Sequence, residues 1–161
     1  MPLNLQNLRV LIVDDSKPIR DLLSFVLEGL GVGKISVADN GDRGFDVFQR
    51  DMPDIVFVDW DMEPTNGLTL AKRIRTEPGS VNPQVPIIMI SGYSAVFRVI
   101  GARECGITEF MTKPFTADAI AKRIASVINN PRDFIKYTEY VGPDRRRRDA
   151  ANISEDRRAR N

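Results

Sequence analysis

The 161-residue chain contains no histidine and a single cysteine, Cys105. Those absences exclude an internal disulfide, a cysteine-cluster metal site, a histidine-ligated zinc and a Ser-His-Asp nucleophile system. Any metal bound here would take oxygen ligands. Aromatic residues are sparse at 7 %, with one tryptophan, Trp60, and no run approaches the roughly 18 apolar residues that a membrane-spanning helix needs. The stretch Met1-Pro2-Leu3-Asn4-Leu5-Gln6-Asn7-Leu8 lacks a basic start followed by an apolar core. No secretory signal is read there, and the cytoplasm is the expected compartment. Nothing in the chain has the form of an ATP-binding glycine-rich loop, so a phosphoryl group would have to come from elsewhere.

What is present is an ordinary globular balance, 42 % hydrophobic and 28 % charged, sized for one compact domain with an extension. The charge is uneven. Residues 1–130 hold 14 basic and 16 acidic side chains and residues 131–161 hold 9 and 6, so a body of −2 carries a tail of +3. A mildly acidic body offers no electrostatic footprint for nucleic acid, whereas the basic tail leaves that option open.

Across residues 8–130, short runs rich in valine and isoleucine alternate with longer segments of helical period, the pattern of βαβ units around a parallel sheet. Five units are expected, each a strand followed by a helix: 8–13 and 17–30, 34–38 and 41–49, 55–58 and 67–75, 86–90 and 95–105, 108–111 and 117–129. Asp39-Asn40-Gly41, Pro64-Thr65-Asn66-Gly67 and Glu77-Pro78-Gly79-Ser80 supply turn chemistry at the breaks. Right-handed crossovers then predict an α/β fold, a three-layer αβα sandwich. After Asn130 the alternation stops. Phe134, Ile135, Tyr137, Tyr140 and Val141 suggest a short helix with one apolar face, ended by Gly142-Pro143-Asp144. Arg145-Arg146-Arg147-Arg148 and a highly charged terminus follow. The predicted division is a domain over 1–130 and a basic, partly helical or disordered extension over 131–161.

In an open parallel sheet, ligands sit beyond the carboxyl ends of the strands. The residues at those ends form a coherent set: Asp14-Asp15 after the first strand, Asp59-Trp60-Asp61 after the third, Ser91-Gly92 after the fourth and Lys113-Pro114 after the fifth. Two like charges about 4 Å apart repel by roughly 4 kcal/mol at an effective dielectric near 20, so clustered aspartates need a compensating cation. With only hard oxygen donors the fitting metal is Mg²⁺. An aspartate beside it can attack a phosphoryl donor, with Ser91 donating a hydrogen bond to the transferred group and Lys113 pairing with its charge. Each feature alone has a plainer reading: Asp15 or Ser16 with Pro18 forms an ordinary helix start, and a lone Asp59 is a solvated loop residue. Their placement after four strands in one register carries the inference.

These segments resemble the receiver domains of bacterial two-component response regulators, in particular stand-alone regulators of the chemotaxis type. The resemblance covers about residues 8–130 and rests on Val10-Leu11-Ile12-Val13-Asp14-Asp15-Ser16, Ile55-Val56-Phe57-Val58-Asp59-Trp60-Asp61-Met62 closing at Gly67, Ile87-Ile88-Met89-Ile90-Ser91-Gly92 and Thr112-Lys113-Pro114-Phe115. It implies a flavodoxin-like five-stranded parallel sheet of order 2-1-3-4-5. It also implies phosphorylation of Asp59, and Mg²⁺ held by Asp15, Asp59 and the backbone carbonyl of Asp61 with Asp14 close by. Ser91 and Lys113 would contact the phosphoryl group, and Ser91, Gly92 and Phe110 would form the switch. The implied donor is a histidine kinase or histidine phosphotransfer protein. The implied output is a protein partner bound through the fourth helix, fifth strand and fifth helix, including Phe97. Three departures stand out: Pro64 comes one place later than the family's proline, Asp61 adds a carboxylate, and Phe110 lacks the hydroxyl of the family's frequent tyrosine.

Two other classes are weaker. Haloacid-dehalogenase-type phosphatases share the inventory, but their Asp-x-Asp nucleophile lies on the first strand and the acidic pair comes last, the reverse of the order here. A transcription regulator acting through its tail would need more than 31 residues without a helix-turn-helix pattern. The expected protein is therefore a phosphoacceptor rather than an enzyme.

Overall fold

The structure, a computed structural model, describes residues 4–92, 106–131, 134–137 and 140–143. Its elements are β1 (Arg9–Val13), α1 (Lys17–Gly29), β2 (Lys34–Ala38), α2 (Gly41–Asp51), β3 (Ile55–Asp59), α3 (Gly67–Thr76), β4 (Ile87–Ser91), β5 (Glu109–Thr112), α4 (Ala117–Asn129), β6 (Phe134–Tyr137) and β7 (Tyr140–Pro143). The helix predicted over 95–105, with Phe97, lies outside the described residues. Four strand-helix starts agree with the sequence pattern to within a residue, because each lies where an apolar run meets a capping side chain.

Five strands form one parallel sheet in the order β2-β1-β3-β4-β5, with Val10 beside both Ile35 and Ile55, Val56 beside Ile87 and Ile88 beside Glu109. The order reverses direction between β1 and β3, which is where open α/β sheets form their crevice. Side chains alternate between two faces. Leu11, Val13, Val56, Val58, Ile87 and Met89 pack with α2 and α3 through Phe45, Phe48, Leu70 and Ile74. Val10, Ile12, Ile55, Phe57, Ile88 and Ile90 pack with α1 and α4 through Leu23, Leu27, Ile120 and Ile124. Three layers result, and β3 and β4 are buried along their whole length because both faces are covered. Each fully buried Leu, Ile or Phe side chain contributes roughly 1.5–3 kcal/mol relative to exposure.

The helix starts converge on the edge where the strands end. The Oγ of Ser16 accepts from the Ile19 N–H, the Oδ1 of Asn40 from Arg43, the Oδ1 of Asn66 from Thr69 and the Oγ1 of Thr116 from Ala119. Each cap satisfies an orphan donor and sets the entry angle of its helix.

At the opposite edge sits a residue whose importance sequence periodicity does not disclose. Arg75, near the end of α3, is buried. Its guanidinium donates to the carbonyl of Gly106 at 3.0 and 2.8 Å, of Pro83 at 2.8 Å and of Val85 at 2.6 Å, and to the hydroxyl of Thr108. One planar cation thereby fixes the approaches to both β4 and β5.

The predicted short helix after Asn130 is corrected by the structure. Phe134–Tyr137 and Tyr140–Pro143 form an antiparallel pair, β6 with β7, joining Phe134 to Pro143 and Tyr137 to Tyr140. Phe, Ile, Tyr and Val are strand formers, and a spacing of apolar residues over so few positions fits either period. β7 runs close to α3, with Gly142 and Pro143 buried. Residues 144–161, with the four arginines, lie outside the described residues.

Replacing Arg75 with Met is expected to orphan its carbonyl partners and lower stability by about 2–4 kcal/mol, at the scale of buried charged hydrogen bonds. A urea midpoint within error of the parent would show that the clamp is dispensable.

Candidate functional site

The rim of the sheet brings together the side chains that the sequence nominated. Asp14 follows β1 and is 1 % exposed, Asp59 ends β3 at 4 %, and Ser91 ends β4 with no exposure. Asp15 is exposed. Carboxylate oxygens of Asp14, Asp15 and Asp59 lie within 4.8 Å of one another. Lys113, just past β5, reaches back across β4 so that its Nζ stands 3.2 Å from Asp59 Oδ1 and 3.5 Å from Asp14 Oδ2. Its own N–H donates to the Ser91 carbonyl at 2.8 Å, tying the two strand ends together. The Lys113–Pro114 peptide is cis, as is Glu63–Pro64.

Each carboxylate is held by the local backbone. The Asp14 N–H donates to the Ala38 carbonyl at 3.1 Å, and its Oδ1 accepts from the Ser16 N–H at 2.9 Å. Arg20, one turn into α1, donates from Nη1 to the Asp14 carbonyl at 2.7 Å. Beyond Asp59, the Trp60 N–H donates to the Ile90 carbonyl at 3.0 Å and the Trp60 carbonyl accepts from the Gly67 N–H at 3.1 Å. Gly67 is required by close approach: a Cβ there would collide with the Asp59 carbonyl oxygen. Only a glycine lets the start of α3 settle so tightly behind the aspartate. In the sequence Gly67 shows only as a turn residue that opens a helix, and Arg20 as one of many arginines. The available signals were a glycine opening a helix and an arginine one helical turn past Ser16.

Electrostatics follow from this packing. Burial is the main cause that pushes the Asp59 carboxyl up, to about 6, and the neighbouring charge of Asp14 adds to it while Lys113 opposes it. Burial likewise raises Asp14, against the pull of the Ser16 N–H and Lys113. For Lys113 burial acts to lower the pKa, but Asp14 and Asp59 outweigh it and hold the ammonium above its ordinary value. Three carboxylates thus face one cation, leaving a local excess of two negative charges when all are ionised. The donor set is hard oxygen throughout, and its charge and spacing fit a divalent cation of the Mg²⁺ type.

Other nominated residues are placed differently. Asp61 is exposed, and its carboxylate is not among the three that group. Gly92 is exposed, with nothing within 4 Å of where a Cβ would stand. Phe110 is half-buried on β5 and meets the Trp60 ring edge-on.

An open parallel sheet gathering three carboxylates, a serine and a lysine at its switch-point rim defines a doubly wound α/β domain with an acidic cluster at its crevice. The chain belongs to the response regulator receiver domain family, whose model matches residues 10–125. It is 31 % identical over 121 residues to the chemotaxis protein CheY of Bacillus subtilis, covering 75 % of this chain and 98 % of that protein. Identity is also 31 %, over 119 residues, to the phosphate regulon transcriptional regulatory protein PhoB of Pseudomonas aeruginosa, covering 74 % of this chain and 51 % of PhoB. The chain therefore spans about half of that relative. A putative response regulator from Chloroflexus aurantiacus superposes with a TM-score of 0.70 at 26 % identity, covering 76 % of this chain and 98 % of that one. Among the described residues no helix is long and apolar enough to cross a membrane.

Folded Asp59 keeps its proton to about pH 6, while an unfolded aspartate releases it near 3.9. The metal-free fold therefore loses stability as pH rises through that window and carries the full penalty above it. Asp59→Asn is expected to stabilise metal-free protein at pH 7.5 by about 1–3 kcal/mol, with the gain gone near pH 4. Urea denaturation at the two pH values checks this, and a gain that persists at low pH would assign the effect to packing instead.

Proposed function

We propose that this receiver is switched by phosphorylation of Asp59, and that a histidine kinase or histidine phosphotransfer protein donates the phosphoryl group. The observation that supports this best is the convergence of Asp59 with Asp14, Asp15, Ser91 and Lys113 on one rim. An Asp59 carboxylate oxygen attacks the donor's phosphorus, the bond from phosphorus to the donor's imidazole nitrogen breaks with its electron pair on nitrogen, and an acyl phosphate results. Mg²⁺, for which Asp15, Asp59 and the Asp61 carbonyl with nearby Asp14 are the proposed ligands, would supply the charge neutralisation that lets two anions meet. Lys113, already 3.2 Å from Asp59, pairs with the added charge, and the Ser91 hydroxyl turns toward it. Gly92 opposes no side chain to that movement. Charge-assisted hydrogen bonds of roughly 1.5–3 kcal/mol each approach the about 5.5 kcal/mol that a full population swing requires. The output surface would then be β5, α4 and the segment before β5, read by a protein partner in the cytoplasm. Phosphotransfer and later loss of the phosphoryl group are the only chemistry ascribed to the chain.

A protein donor needs a landing surface next to the rim. Pro18, Leu22 and Phe25 follow one another along the outside of α1, three exposed residues at helical spacing that begin two positions after the Ser16 cap. Leu22 is 46 % and Phe25 75 % exposed. A strip of that kind beside a phosphoacceptor suits the apolar face of a docking helix.

Titration with Mg²⁺ and beryllofluoride is expected to change Trp60 fluorescence in the parent and not in Asp59→Asn. A phosphoramidate or acetyl phosphate donor should add one phosphoryl group per chain. Phosphorylation of the Asn variant, or silence of the parent, would sink the reading. Phe25→Glu with Leu22→Glu should slow transfer from a phosphohistidine protein tenfold or more while leaving acetyl phosphate reactivity within twofold. Equal losses with both donors would remove α1 from the docking surface.

A further inference from the structure

Trp60 is the chain neighbour of Asp59, and its main chain is held on both sides. Its N–H is bound to Ile90 of β4 and its carbonyl to Gly67 of α3. A displacement of the Asp59 end of β3 therefore carries the indole with it. The ring extends over the α2–α3 face of the sheet and meets Phe110 with centroids 6.4 Å apart and planes at 85°, the edge-to-face arrangement that aromatic quadrupoles favour. Phe110 belongs to β5, whereas Trp60 follows β3, and β4 lies between them. The two rings bridge a strand that separates their backbones by about 10 Å, twice the usual strand spacing. Phe110 is in turn tied to the last helix, since its carbonyl accepts from Nε of Arg123 on α4 at 3.3 Å.

From this contiguous path we infer that Trp60 is a positioning residue that couples the state of Asp59 to β5 and α4 through its contact with Phe110. The inference rests on Asp59 being the phosphorylated residue. On this view the Trp60–Phe110 contact differs in strength between the free and the phosphoryl-loaded protein, and that difference biases the position of β5. A contact of equal strength in both states would shift nothing, however well packed it is. The physical warrant for coupling is such a difference between two states, and spatial continuity alone does not provide it.

The measurement is a double-mutant cycle on the affinity of the full chain for beryllofluoride in saturating Mg²⁺. It compares parent, Trp60→Leu, Phe110→Leu and the double variant, and reads affinity from the backbone amide shifts of Ser91 and Lys113. Non-additivity of at least threefold in the binding constant is expected. Shifts of amides along Ala117–Asn129 should fall by half or more in Trp60→Leu while those of Ser91 and Lys113 remain. If the single effects multiply to within 1.5-fold, the contact is structural only and the inference is overturned, although the Asp59 reading survives. Failure of the parent to bind beryllofluoride overturns both. Should Trp60→Leu not fold, Trp60→Met removes the ring while filling more of its space and closes the same cycle under the same criteria.

Discussion

The ammonium of Lys113 between Asp59 and Asp14 is the interaction on which the rim depends. Two carboxylates almost without solvent contact, with a third beside them, would repel one another strongly in a medium of low polarity. One cation moderates that repulsion without cancelling it. The residual excess of negative charge fits the charge of a divalent cation, and burial raises Asp59 by keeping bulk water from its carboxylate. A site balanced in this way is poised, because any added charge at Asp59 must be answered by Lys113.

Holding Lys113 there is a task for the whole sheet. β5 lies two strands from β3, so the lysine must start one residue past β5 and lean across β4. The bond from its N–H to the Ser91 carbonyl sets that angle. At the other end of the same strands Arg75 fixes the approaches to β4 and β5 by donating to backbone carbonyls. The two cations bracket the β4–β5 pair, one anchoring its entry and one its functional exit. Gly67 and Arg20 act on the neighbouring strands in the same sense, one allowing α3 to press on the Asp59 carbonyl and the other gripping the Asp14 carbonyl.

Legibility followed the range of the physics. Alternating apolar runs and caps are local, so the strands, the helix starts at Lys17, Gly41, Gly67 and Ala117, and the residues Asp14, Asp15, Asp59, Ser91 and Lys113 could be read in order along the chain. Periodicity failed in β6 and β7, where short amphipathic spacing suits helix and strand alike and the two segments pair as antiparallel strands. Arg75 resembled any last-turn cation of a helix, because the carbonyls that it serves come from distant loops. Asp59 and Asp61 are aspartates two residues apart, and only the packing decides that the first side chain is buried and the second exposed.

The order of acidic, hydroxyl and cationic residues after successive apolar strands determined the family and the residues of the rim from sequence alone, because in a parallel sheet every strand ends on the same side. Only the tertiary structure decided which of those charges face one another, how far burial raises Asp59, and that the tryptophan beside it touches a phenylalanine two strands away. Those properties arise from the register and spacing of segments as many as 99 positions apart in the chain, and no local pattern encodes such distances.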